Sequence, residues 1–255
     1  MPMTDSILRT ERLSKHFGGL RAVDNLSISF ERRKVHAILG PNGAGKTTLI
    51  NLLSGELQPS SGHIYYEGQE ITNHTPEKTA RIGIGRSYQK TNIFTQFTCL
   101  QNCWIGAQTM LRTSMRFFLP ASRLRQVRMQ AEKALESCGL TEKMNHAASS
   151  LSYGEQRQLE IAMMLSTGPE LLLLDEPLAG MGSEESTAVV GLLRELAKER
   201  TLILIEHDMD AVFAVADTLT VMVNGAELET GSVEQIRSSP EVQDAYLGHR
   251  DRTER

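Results

Sequence analysis

The segment Gly40-Pro41-Asn42-Gly43-Ala44-Gly45-Lys46-Thr47 sets a glycine, four residues, a second glycine, a lysine and a threonine in that order. The chemistry this spacing suits is polyphosphate binding. Glycines let backbone N–H groups close on phosphate oxygens, a lysine offers a compact cation to the β and γ oxygens, and a threonine hydroxyl can ligate Mg²⁺. The pattern follows the apolar run Val35–Leu39 and opens the helix-like stretch 46–54, so the loop amides and a helix N-terminus converge on one anion. A nucleoside triphosphate site is implied: Gly40, Pro41 and Asn42 shape the loop, and Gly43, Ala44, Gly45, Lys46, Thr47 and Thr48 wrap the phosphates.

Such a loop needs a sheet to hold it. Short continuous apolar runs at Val35–Leu39, 171–174, 202–205 and 219–223 read as strands buried on both faces. Helical stretches alternate with them, which predicts a parallel sheet covered by helices. Segments 7–13, 26–30 and 64–66 alternate more and predict an antiparallel flank, with turns at Gly18-Gly19 and Glu67-Gly68. From about residue 90 to 168 the pattern is helical, broken at Pro120 and Gly139. Within it, Ser152-x-x-Glu155 reads by itself as a capping box, and Leu159, Ala162 and Met163 are spaced for the helix it opens. A capped helix N-terminus is also an anion site, so the two readings are compatible. Internal repeats and low-complexity tracts are lacking.

Leu151-Ser-Tyr-Gly-Glu-Gln156, placed after the phosphate loop and before Asp175-Glu176-Pro177, resembles the signature segment of the ATP-binding cassette (ABC) family. The resemblance runs from about residue 7 to 248. It implies an α/β P-loop NTPase cassette in one domain over 1–255. Its mainly parallel core with antiparallel flank would occupy about 5–89 and 169–248, a helical insert about 90–168, and a tail 249–255. By the same resemblance Asp175 holds Mg²⁺ with Thr47, and Glu176 polarises the attacking water. Gln89, in Arg86-Ser-Tyr-Gln89, touches Mg²⁺ or water, and His207 contacts the γ-phosphate. Phe17, in Lys15-His-Phe17-Gly-Gly, stacks on adenine, where a face contact is worth about 1–3 kcal/mol; a core position is the alternative for this ring. Ser152, Gly154 and Glu155 meet ATP held by a second cassette. Catalysis thus falls to Glu176, His207, Lys46 and Gln89. One departure is Gly182, where the family usually has aspartate, which puts side-chain contacts between cassettes in doubt at that point.

Leu178-Ala-Gly-Met181, the signature continuing to Ile161, and the terminal Ala245-Tyr-Leu-Gly248 narrow the resemblance to cassette subunits of branched-chain or hydrophobic amino acid uptake systems, whose relatives import urea or short amides. The implied partners are transmembrane permease subunits, a second cassette (an identical copy or a paralogue) and, indirectly, an extracytoplasmic solute-binding protein. A soluble cassette ATPase acting on nucleic acid or ribosomes is the rival. Paired cassettes or long coiled-coil insertions would favour it, and neither is present. Intact Lys46, Asp175, Glu176 and His207 argue against a binding module without turnover.

Bulk properties agree. With 255 residues the chain can bury a large core, and a net charge of −4 gives no reason to expect nucleic acid. Residues 1–13 lack a basic start followed by an apolar core, and no apolar run nears the roughly 20 residues that span a bilayer. The expectation is a soluble chain held at the cytoplasmic face of a membrane by other subunits. Cys99, Cys103 and Cys138 have no metal-ligand spacing and read as reduced structural thiols. Arginines 112, 116, 123, 125 and 128 surround Phe117-Phe118-Leu119, either a patch facing a membrane or a permease, or a solvated helix face with a small apolar anchor. Gly83-Ile-Gly85 reads as a strand approaching Gln89. Ile93, Phe94 and Phe97 are either core of the insert or a groove for a permease helix.

Overall fold

The computed structural model describes residues 6–88, 92–109, 121–207 and 209–245, with side chains from 125 onward in the third segment. The described elements open with β1 (Ser6–Phe17), β2 (Leu20–Leu26), β3 (Ser29–Glu31) and β4 (Val35–Leu39), followed by α1 (Lys46–Leu53), β5 (Ser61–Tyr66), β6 (Gln69–Glu70), α2 (Pro76–Arg81) and β7 (Ile84–Arg86). Three longer helices come next: α3 (Cys99–Thr109), α4 (Ala121–Ser137) and α5 (Tyr153–Leu165). The chain then alternates β8 (Leu171–Asp175), α6 (Ser183–Ala197), β9 (Thr201–Ile205) and α7 (Met209–Val215), and the described elements close with β10 (Thr218–Val223), β11 (Ala226–Gly231) and α8 (Val233–Ser238).

Among the described residues six strands form the larger sheet in the order β11-β10-β4-β9-β8-β7, parallel except for the edge pair β10–β11. Every residue of β4, β8 and β9 is buried, as strands covered on both faces must be. Alternation along the strand divides the leucine run between two cores. Leu171 and Leu173 pack with α1 and the antiparallel flank, whereas Leu172 and Leu174 pack with buried residues of α3, α4, α5 and α6. Cys99, Cys103 and Cys138 lie in the second core, where burial pushes the Cys138 thiol up to about 12, so these thiols stay protonated and inert.

The flank is a second sheet of order β2-β1-β5-β6, with β3 also on β1. Turns fall at Gly18-Gly19 and Glu67-Gly68 as expected. The single strand expected over 26–30 is instead two. β2 pairs with the far half of β1 and β3 with its near half, because Thr10 interrupts them: its buried hydroxyl donates to the Leu26 carbonyl and accepts from the Ile28 N–H, both at 3.0 Å.

Registers between the central strands set the functional edge. Leu174 lies opposite Leu204 and Asp175 opposite Ile205, while Ile38 lies opposite Ile205 from the other side. The loops leaving β4, β8 and β9 therefore emerge together at one carboxyl edge, where open parallel sheets gather ligands.

Candidate active site

Residues 40–45 turn from β4 into α1, which starts at Lys46 with Gly45 as its N-cap. Gly45 has φ +99°, and a Cβ there would sit 2.0 Å from the Ala22 carbonyl oxygen of β2, so only glycine lets the flank pack against the loop. Gly43 is also left-handed, but a Cβ would meet nothing within 4 Å, so this side of the loop faces open space. The Ala44 N–H donates to Pro41 and the Gly225 N–H donates to Ala44, pinning the loop to the β10–β11 turn. Lys46 Nζ donates to the carbonyls of Gly40 (2.6 Å) and Pro41 (3.1 Å), which aim the ammonium across the loop. Burial lowers the pKa of Lys46, and the neighbouring Glu176 and Asp175 pull it back up. With no acidic residue in its first turn, α1 leaves its N-terminal N–H groups for an external anion.

Asp175 ends β8, buried, with its N–H donated to Ser87 Oγ at 3.2 Å. Burial raises its carboxyl pKa and Arg86 opposes that rise. A cation seated on this oxygen would offset the same penalty. Glu176 follows at φ +48°, a conformation worth about 1–3 kcal/mol of strain for a residue with a Cβ. Its N–H donates to the Ile205 carbonyl at 2.9 Å, and its own carbonyl accepts from Ala179 and from Arg157. That kink turns the Glu176 side chain out of the sheet toward His207, whose Nδ1 lies 3.7 Å from Glu176 Oε1. The imidazole is 65% exposed and free to meet a ligand.

Sequence reasoning passed over Glu206. It is buried at the end of β9 and accepts from the N–H groups of Leu178 (2.8 Å) and His207 (3.2 Å), joining the turn after Glu176 to the histidine. An acidic residue directly after the apolar run 202–205 was the available signal, since a buried carboxylate must find donors.

Phe17 lies at the end of the β1–β2 hairpin, opposite Leu20, and is 48% exposed with Lys15 Nζ 5.3 Å from the ring centroid. The core alternative for Phe17 therefore falls away. At the other end of the cassette Ser152 caps α5, and the capping box is complete: Ser152 Oγ accepts from the Glu155 N–H at 3.3 Å, and the Ser152 N–H donates to Glu155 Oε2 at 3.0 Å. Lys143 grips the Glu155 carboxylate and holds its pKa down. Ser152 Oγ and the Gly154 N–H both donate, at 3.2 Å, to Glu185 Oε1 of α6. These two donors thus already share one carboxylate oxygen.

Gly182 is the exposed N-cap residue of α6 and makes no side-chain cap, leaving Glu184 and Glu185 to complement the helix dipole. Gln89, Arg112, Arg116, Phe117, Phe118 and Leu119 fall outside the described residues. Arg128 pairs with Glu132 on an exposed face of α4, as on a solvated helix. Of the apolar trio, Ile93 packs on the helical core, whereas Phe94 (49% exposed) and Phe97 (43% exposed) stack with centroids 5.5 Å apart. Buried Asn102 fixes their loop, accepting from the Phe94 N–H and donating to the carbonyls of Phe94, Phe97 and Thr98.

Comparison with known proteins bears directly on this arrangement. A protein-family model for ABC transporters matches residues 23–179. Over 253 residues the chain is 40% identical to the high-affinity branched-chain amino acid transport ATP-binding protein BraF of Pseudomonas aeruginosa, covering 96% of this chain and 99% of that protein. It is 38% identical to the corresponding LivG protein of Salmonella typhimurium, again over 96% and 99%. Among solved structures, the ADP conformation of MJ1267, an ATP-binding cassette of an ABC transporter, matches with a TM-score of 0.83 at 32% identity, covering 95% of this chain and 99% of that one.

Proposed function

The chain belongs to the ABC transporter family of ATP-binding cassettes, and from that membership we infer that it energises import of branched-chain or other hydrophobic amino acids. One observation carries the chemical part: the phosphate loop after β4, Asp175-Glu176 at the end of β8 and His207 after β9 meet at a single sheet edge.

In this reading the loop amides and Lys46 bind the β and γ oxygens of ATP, and Phe17 offers its open face to the adenine. The Thr47 hydroxyl, the Asp175 carboxylate and Gln89 form an all-oxygen donor set suited to Mg²⁺, which when bound neutralises phosphate charge. Glu176 orients the water and accepts its proton, and His207 donates toward the γ-phosphate. Ser152 and Gly154 serve ATP on a second cassette, an identical copy or a paralogue. Among the described residues no helix is long and apolar enough to cross a membrane, which suits a subunit docked on permease chains. An extracytoplasmic solute-binding protein completes the system.

Lys46→Ala removes the cation over the loop, so affinity for a fluorescent ATP analogue is expected to fall about 10–100-fold and turnover with it. Unchanged affinity and turnover together would overturn the phosphate-loop assignment. The stacked pair Phe94 and Phe97 is the surface we assign to a cytoplasmic helix of the permease, since burying each ring gains about 1.5–3 kcal/mol. Phe94→Glu with Phe97→Glu is expected to abolish membrane recruitment and ATP-dependent leucine uptake while soluble ATPase activity survives. Unimpaired uptake would remove the docking surface. Normal growth of a strain lacking the gene on each branched-chain amino acid as limiting nitrogen source would instead overturn the substrate.

A further inference from the structure

Arg157 is a long cation with 1% of its side chain exposed, one and a half turns into the helix that Ser152 caps. A guanidinium is tolerated in such a place only when its donors are engaged. Its NH1 donates to Glu160 Oε2 at 2.5 Å and to the Tyr88 carbonyl at 2.7 Å, and its NH2 donates to the Glu176 carbonyl at 3.2 Å. Glu160 is buried as well, and its Oε1 accepts from the Tyr88 N–H at 3.2 Å. The peptide groups on both sides of Tyr88 are therefore held by one buried ion pair, immediately before Gln89. The same guanidinium reaches the residue whose left-handed backbone aims the proposed catalytic carboxylate.

We propose that Arg157, backed by Glu160, is a positioning residue for ATP hydrolysis, tying the signature helix α5 to the Glu176 peptide and to the residue preceding Gln89. The planar fork of arginine suits this task because it serves two carbonyls and a carboxylate at once, which a lysine ammonium on a flexible stem does not reproduce. Movement of α5 is then passed to Glu176 through its carbonyl, without any contact between Arg157 and the nucleotide. A displacement of the carboxylate by a fraction of an ångström is enough to slow a reaction that depends on an aligned water. The inference rests on Glu176 as the water-polarising group.

The test uses the purified full-length chain with four variants: Arg157→Lys, the apolar pair Arg157→Met with Glu160→Leu, Glu176→Gln, and Arg157→Lys combined with Glu176→Gln. Expected for Arg157→Lys is a kcat about 10–100-fold lower with ATP affinity within about twofold of the parent. The apolar pair replaces both charges together and keeps the helix packed, so it is expected to melt near the parent temperature and show the same loss of kcat. Because Arg157 acts through Glu176, the combined variant should be no more than about threefold slower than Glu176→Gln alone. If both folded Arg157 variants turn over within twofold of the parent, or if the two losses simply multiply, the positioning role is wrong. Should Glu176→Gln itself keep full turnover, the failure lies instead with the assignment of Glu176.

Discussion

Glu176→Gln is expected to lower ATP turnover by about 10²–10⁴-fold while leaving ATP affinity within about twofold. The substitution keeps the shape of the side chain and removes only its capacity to take a proton. The amide nitrogen still donates to Ile205 and the carbonyl still accepts from Ala179 and Arg157, so the kinked peptide survives. Phosphate binding does not depend on this carboxylate, since the loop amides and Lys46 follow β4, which β9 separates from β8 in the sheet. The measurement is steady-state phosphate release alongside titration with a fluorescent ATP analogue. Near-parental turnover at unchanged affinity would remove Glu176 from the reaction and shift the general-base role to another group on this edge, with His207 next in reach at 3.7 Å.

The parts of this site that the sequence disclosed are those created by strand ends. Val35–Leu39, 171–174 and 202–205 are apolar but for His36 because both faces of their strands are covered, and a loop of glycines or a charged pair directly after such a run has few places to lie except the sheet's carboxyl edge. Elements whose identity depends on a partner were harder to see. β2 carries Arg21, Asp24 and Asn25 and is a strand because β1 pairs with it, and β11 is a mostly exposed edge strand with almost no apolar signal. The division of 26–30 into two strands follows from hydrogen bonds to Thr10, sixteen and eighteen positions away, which no local pattern encodes. Glu206, Arg157 and Glu160 share a single reason for being overlooked. Each is a charged residue whose value comes from backbone groups brought near only by the finished fold. The apolar trio after Gln89 shows the opposite limit: three similar side chains close in sequence separate into one core residue and two surface rings according to which way the loop held by Asn102 turns.

Ser152→Arg is expected to abolish ATP-dependent dimerisation in a Glu176→Gln background while leaving ATP binding to the single cassette intact. In this chain the Ser152 hydroxyl and the Gly154 amide converge on one carboxylate oxygen of Glu185, so the pair is already arranged to hold an oxyanion at the N-terminus of α5. A γ-phosphate presented by a second cassette would offer the same donors a more highly charged oxygen, and Glu185 would then yield its place. Arginine at position 152 removes the hydroxyl that caps α5, a loss of about 1 kcal/mol that a helix of this packing can bear. It also puts a long cation beside Glu185, where a salt bridge would keep the donor pocket filled. The phosphate loop belongs to a different part of the chain, and among the described residues no hydrogen bond links it to Ser152 or Gly154, so binding of ATP by one chain should be untouched. Size-exclusion chromatography with saturating ATP decides the matter. Elution of Ser152→Arg as a stable ATP dimer would show that the signature donors do not act across the interface, whereas a monomer that still binds the fluorescent analogue at parental affinity places Ser152 on ATP held by its neighbour.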